Sequence, residues 1–428
     1  MPIDLSRDVV LRWEGIDPKL AGTLKEGGVT ALLVPNNEPA FSEACRQAGL
    51  KTATPEELPS LSLEEMDKSP SRPAALKAGQ WPGLTRHSAP VNPDEDVASA
   101  SHQPWIDANS FWIAYLRAMY PQRTAMLGYQ PNEEAGLKPG RIVPYDSLEL
   151  GLIDAWAAGG NYVLAIEPRY RKALLGGDKE AIAAWQQLGR TAAWLRKHQP
   201  LLGRPISPIA TLLVADDITA EIANLMFRQN VSPRLVAASA LPAAFPGCLA
   251  LVASSIPDPA PAARKTLLAY AHAGGSLIVD APGEKAWWRT PGLKAVRAQE
   301  DRDFYSFGRG QIVAYREQIA DPSEFAFDVI DVVNQKRRAV RLWNASSVIA
   351  VAASGPKTGP LACRTVVTTV NYGSPVDYDI PARVRGEFTK ATLLRPDAAP
   401  LPLKPVKRGT TTEVIIPQLK RLGVIVFS

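Results

Sequence analysis

The chain is poor in the residues that usually announce chemistry. Its 428 residues include three cysteines, four histidines and five methionines. Cys45, Cys248 and Cys363 lie too far apart for a CxxC pair or a disulfide framework. Inert thiols are the expectation, because free cysteine is usually buried. His87, His102, His198 and His272 share no compact metal-ligand spacing. "HAGG" and "FGRGQ" are glycine turns, and neither GxGxxG nor a P-loop follows a strand cue. Neither a cofactor nor a metal is therefore expected. No apolar run is long enough to suggest a membrane span. The opening "MPIDLSRDVVLRWEG" has no signal-peptide h-region. A chain whose leader had been removed would read the same, which leaves the compartment open.

Excess charge is also modest, at +5, but unevenly placed. Residues 381–428 carry nine Lys or Arg against three acids. These bases are scattered through strand-like text with no nucleic-acid motif beside them. A solvated sheet face is the expectation, and no nucleic-acid partner.

What is present is apolar and periodic. Hydrophobic residues make up 46% of the chain, enough for more than one core, and the length predicts two or three domains. Residues 1–203 alternate strand and helix cues. The strands read "VVLRW", "VTALLVP", "LKTAT", "PAALKAG", "DVASAS", "TAMLGY", "GRIVPY" and "NYVLAIEP". Apolar strands separated by helices need a parallel sheet covered on both faces, and eight such units suggest a (β/α)8-like barrel. Such barrels usually hold about 250 residues, so several units here must be short. Residues 204–336 hold five more apolar strand cues with helices between some of them, which reads as an open flavodoxin-like α/β domain. Its closing helix should begin at Pro322 with Asp321 as cap. Residues 337–428 lose the helical period and read as a C-terminal antiparallel β-sandwich.

This order of barrel, flavodoxin-like domain and β-sandwich resembles multidomain glycoside hydrolases of the beta-galactosidase type. The resemblance implies a middle domain similar to class I glutamine amidotransferases but without glutaminase activity, and a homodimer or homotrimer. A local stretch, "AWAAGGNYVLAIEP" with Gly159, Gly160, Asn161 and Pro168, looks like the last barrel strand of alpha-fucosidase-like hydrolases. The helix after it, with Trp194, looks like their next helix. The likeness places Glu167 near the end of the last strand without making it that family's nucleophile. The amidotransferase likeness departs at Cys248 and His272, which sit in no Gly-x-Cys-x-Gly elbow.

Glycoside cleavage usually needs two carboxyl groups, one to protonate the leaving oxygen and one to attack or to activate water. Barrels supply such groups at the carboxyl ends of their strands. Four candidates take that position: Glu38, Asp107, Asp146 and Glu167. Glu38, in "NNEPAF", resembles the acid/base motif of a large retaining clan but follows strand two rather than four; helix capping by Asn37 also explains the letters. Asp107, Asp146 and Glu167 each have a capping or salt-bridge alternative. Asp146 and Glu167 end neighbouring strand cues, which makes them the leading pair. Trp81, Arg86, His87, Trp105, Asn109, Tyr129 and Tyr145 supply aromatic faces and hydrogen-bonding groups suited to a sugar. Trp287 and Trp288 in "EKAWWRTPG" can serve a core, a subunit interface or a substrate. The leading reading is a glycoside hydrolase with a carbohydrate substrate. The alternative is an inactive carbohydrate-binding or scaffold protein.

Overall fold

The computed structural model describes residues 2–58, 73–78, 104–128, 143–214, 217–333 and 337–428. Trp81, Arg86, His87, His102 and Tyr129 lie outside these residues, as does the "DVASAS" strand cue.

Six short strands form the first sheet: β1 (Val10–Arg12), β2 (Ala31–Leu33), β3 (Lys51–Ala53), β4 (Ala74–Ala78), β5 (Thr124–Gly128) and β6 (Asn161–Ala165). Their order is β3-β2-β1-β6-β5-β4, and every pairing is parallel. Read cyclically, this is 4-5-6-1-2-3: the chain steps round in one direction and the last strand returns beside the first. Two separate cores confirm the arrangement. Leu11, Leu32, Ala75, Leu127, Tyr162 and Leu164 face a layer of helices. Val10, Ala31, Leu33, Ala74, Leu76, Met126 and Val163 pack on one another, with Leu5 added from the N-terminal segment and no helical residue among them. An open sheet would need helices on that second face. Among the described residues no helix covers it, and the strand residues pack on one another there, as inside a barrel.

The helix layer comprises α1 (Ala21–Glu26), α2 (Pro39–Gln47), α3 (Pro104–Met119), α4 (Ser147–Ala157), α5 (Pro168–Leu175) and α6 (Lys179–His198). Trp185 of α6 is fully buried and its indole donates to the Thr23 carbonyl (2.6 Å). Gly189 permits that approach: a Cβ there would stand 2.1 Å from the Glu26 carbonyl oxygen. At the amino end of the sheet, Asp8 accepts from Lys51 Nζ (2.7 Å) and Thr30 Oγ1 (2.9 Å), and Asn161 Nδ2 donates to the carbonyls of Leu5 and Asp8. These bonds tie β1, β2, β3 and β6 together from below.

One strand expectation fails. "GRIVPY" does not form a strand over its described part, Val143–Tyr145. Pro144 has no N–H to give a ladder, and its carbonyl instead accepts from Ser147 N (3.1 Å), turning the chain directly into α4. Asp146 thus sits at a helix entrance rather than a strand end.

The second sheet contains β7 (Ile209–Leu213), β8 (Arg234–Ala237), β9 (Ala250–Ala253), β10 (Ser276–Val279), β11 (Lys294–Ala298), β12 (Arg302–Phe307) and β13 (Gly310–Tyr315). Its order, β11-β12-β13-β10-β9-β7-β8, places the five parallel strands in the 2-1-3-4-5 flavodoxin-like sequence, with β12 and β11 added antiparallel at one edge. Helices α7 (Asp217–Arg228), α8 (Pro261–His272) and α9 (Pro322–Val333) cover it. Asp321 caps α9 as expected, accepting from Ser323 N (2.8 Å). Trp287 and Trp288 are core residues of this unit. Both are buried, and their indoles donate to the carbonyls of Ile256 and Ala281 (2.8 Å each).

Beyond α9 the chain is all strand: β14 (Val340–Leu342), β15 (Val348–Ser354), β16 (Thr365–Asn371), β17 (Val376–Arg385), β18 (Ala391–Arg395), β19 (Ala398–Leu403), β20 (Val406–Arg408), β21 (Thr411–Leu419) and β22 (Leu422–Phe427). They form two antiparallel sheets, β14-β17-β21-β20 and β15-β16-β22-β18-β19, enclosing an apolar core as in a sandwich. Many bases of this segment are ion-paired on its surface: Arg383 and Arg408 with Glu413, Lys407 with Glu387, and Lys420 with Asp397.

Candidate functional site

The carboxyl ends of the first sheet form the mouth where a barrel presents chemistry. Side chains alternate along a strand, so Arg12 faces inward with Val10, at the end of β1. Burial pushes its guanidinium below the ordinary value, though an arginine stays charged. Two residues on, Glu14 is 86% exposed and pairs with Arg171 (3.4 Å), whose guanidinium lies 4.5 Å over the Trp13 ring. Neither Arg12 nor Glu14 was singled out in the sequence. The signal was there: in "VVLRW" the arginine keeps phase with an inward valine at the strand's carboxyl end.

Glu38 lies just past the end of β2. It occupies the N-cap position of α2, one residue later than the capping alternative placed it, with Pro39 at N1. Its side chain makes no capping bond and the residue is exposed.

Glu167 is the N-cap of α5. Its two carboxylate oxygens accept from Arg169 N (2.9 Å) and Tyr170 N (3.0 Å), and Arg169 Nε stands 3.9 Å away. Pro168 at N1 has no N–H to contribute and a φ suited to helix initiation. Arg169 reaches further, donating to Val143 O (2.8 Å) and Tyr145 OH (3.3 Å) while lying over the Tyr145 ring. The Tyr145 ring packs on Tyr170 with centroids 4.5 Å apart. Tyr145, Asp146 and Glu167 are therefore drawn to one side of the rim through Arg169 and Tyr170. Asp146 turns from it towards the sandwich, where it forms an ion pair with Arg421.

Trp105, Asp107 and Asn109 belong to α3. That helix starts at Pro104, so all three are helical, and Asp107 is inside the helix rather than at its cap. Pro104 at the first position suits helix initiation. The side chains of Trp105 and Asp107 lie outside the described set. Asn109 is fully buried.

Asn109 belongs to a polar cluster that the sequence did not reveal. Asp154, in the middle of α4, is buried and accepts from Ser110 Oγ of α3 and from Tyr372 OH (2.5 Å), just beyond β16. Burial raises its carboxyl to about 6, while bonds from Ser110, Tyr372 and Asn109 pull the other way. The cluster joins two helices of the first unit to the sandwich. No periodicity could have signalled it, because Tyr372 is 218 residues away.

Among the described residues no group of three or more His, Cys, Asp or Glu is arranged to hold a metal ion. None of the described helices is long and apolar enough to cross a membrane. Cys248 precedes β9, where burial raises its thiol, and His272 ends α8 against the Phe307 ring.

A parallel sheet in barrel order, a flavodoxin-like sheet and a two-sheet β-structure, in that sequence, define the multidomain glycoside-hydrolase type of fold. Comparison with solved structures finds the same architecture. Alpha-L-fucosidase isoenzyme 2 from Paenibacillus thiaminolyticus superposes with a TM-score of 0.61 over 99% of each chain, at 10% identity. Beta-galactosidase from Bacillus circulans sp. alkalophilus does so with a TM-score of 0.50, again over 99% of each chain, at 7% identity. No family model and no curated protein matches the sequence.

Proposed function

We propose that the chain is an O-glycosyl hydrolase whose carbohydrate substrate sits over the carboxyl ends of β1, β2 and β6. The observation that carries this reading is the inward-facing Arg12 at the mouth of a self-packed parallel sheet, with Glu14, Glu38 and Glu167 following the strands around it. A guanidinium in that position can orient hydroxyls, and carboxylates on the rim can serve as acid and as nucleophile or base. The paired-carboxylate proposal keeps Asp146 and Glu167, with Asp107 and Glu38, and adds Glu14. The fold supports the class.

The test is turnover on a panel of aryl glycosides by folded Glu14→Gln, Glu38→Gln, Asp107→Asn, Asp146→Asn and Glu167→Gln variants. A catalytic carboxylate loses kcat by at least about a hundredfold with little change in KM. Near-parental turnover by Glu167→Gln would assign that residue to the α5 cap alone.

A second reading has its own support. Both leading carboxylates are already engaged, Glu167 by two backbone N–H groups and Asp146 by Arg421. A carbohydrate-binding barrel without turnover would tolerate such uses. It predicts saturable sugar binding by calorimetry, weakened by Arg12→Gln, with no hydrolysis of any glycoside tested. The division at residues 203 and 336, and assembly as a homodimer or homotrimer, are carried as proposals. Limited proteolysis and light scattering test them. Subunit anchors would have to come from surfaces other than Trp287 and Trp288.

A further inference from the structure

A cavity of about 490 Å³ lies where the three units meet, beside the amino end of β6 and away from the mouth. Its walls come from α3, α7, the segment 199–207, and β15 and β16 of the sandwich. Its size falls within the range of small-molecule sites, which favour junctions between domains. One wall is apolar, with Phe227, Leu235, Ile349 and Val351.

The charges are one-sided. Arg117, Arg204 and Arg234 line the cavity, and no aspartate or glutamate does so among the described residues. None of the three forms an ion pair among those residues. Arg117 donates to the Ala158 carbonyl (2.9 Å). Arg234 lies over the Phe245 ring (6.0 Å), and its Nη1, like the hydroxyl of Ser232, is buried with no hydrogen-bond partner among the described residues. A buried, unpaired donor on a guanidinium is costly, and proteins normally satisfy it. Asp154, which accepts from Ser110 at the cavity wall, is not itself part of the lining.

We propose that this cavity binds a small ligand made of an oxyanion headgroup (carboxylate, phosphate or sulfate) on an apolar body. The headgroup accepts from Arg234 and Arg204, and the body lies on the apolar wall. Arginine is suited to this task because its planar fork meets two oxyanion oxygens at once. The inference goes beyond the glycosidase reading and does not depend on it, because binding here is measured without turnover.

The test is calorimetry on the full chain with phenyl phosphate, phenylacetate and the neutral 2-phenylethanol. The two anions should bind and the alcohol should not; the ratio of the anion affinities identifies the preferred headgroup. Arg234→Gln and Arg204→Gln should each weaken anion binding about tenfold or more, as expected for loss of a charge-assisted bond. Arg204 is exposed, so its variant remains informative if Arg234→Gln fails to fold. Arg408→Gln, on the sandwich surface where it pairs with Glu413, should bind as the parent does. The proposal is overturned if no anion binds, if 2-phenylethanol binds as tightly as the anions, or if Arg204→Gln retains parental affinity.

Discussion

The mouth of the first sheet and the seam between its helices and the sandwich use acidic residues in opposite ways. At the mouth, Glu14 and Glu38 stand in water, and Glu167 is held by backbone N–H groups at a helix start. At the seam, Asp154 is taken out of water and surrounded by hydroxyls and an amide rather than by a cation. The first arrangement leaves Glu14 and Glu38 open to solvent and uses Glu167 to start a helix. The second accepts a penalty for ionisation and joins elements distant in sequence. Position relative to strand ends therefore says where chemistry can happen, while burial says which acids belong to the framework.

The largest expected effect lies at the seam. Asp154→Ala leaves Ser110, Tyr372 and Asn109 without their shared acceptor and should cost about 2–4 kcal/mol in chemical denaturation. The same group makes stability depend on pH. Its folded value, about 6, is above the ordinary carboxyl value of 3.8, so the folded state binds the extra proton between them. Stability should therefore fall as pH rises from about 4 to 6, by a total on the order of 3 kcal/mol, and stay low above it. Asp154→Asn should flatten that slope; an unchanged slope would place the titration elsewhere.

Next comes the contact between the first unit and the sandwich. A Cβ at Gly203 would stand 1.7 Å from the Ser354 carbonyl oxygen, so Gly203→Ala should cost about 1–3 kcal/mol and lower the melting temperature. At the mouth the stability effects shrink. Glu167→Ala should cost about 1 kcal/mol through loss of the α5 cap. Glu38→Gln should change stability by less than about 0.5 kcal/mol. A large loss of stability in Glu38→Gln would break the contrast by showing that the mouth, too, is built on its acids.

The sequence disclosed whatever rested on local periodicity. Alternating apolar letters located β1 to β6, the parallel strands of the second sheet and the loss of helix after residue 337. The Asp321 and Pro322 letters placed the start of α9 for the same reason. Errors arose where one residue overrode the pattern: Pro144 ended a strand cue, and Pro104 began a helix ahead of Asp107, which a cap reading would put at its start. Glu167 was placed at the end of β6, but letters alone could not tell that both of its oxygens face N–H groups. Asp154 looked like one acid in an apolar helix. Its role depends on Tyr372, and only the folded chain brings them together.

The core that backs the first sheet's helices also contains Ile349, Val366, Tyr372, Leu422 and Val424. On a ribosome, residues 1–203 emerge long before those strands exist. The helices α3 and α4 wait with an incomplete apolar surface until β15, β16 and β22 have been made, and Asp154 waits for its tyrosine. Folding of the first unit is thus finished by strands of the sandwich, and a nascent chain halted before β22 lacks Leu422 and Val424 from that core.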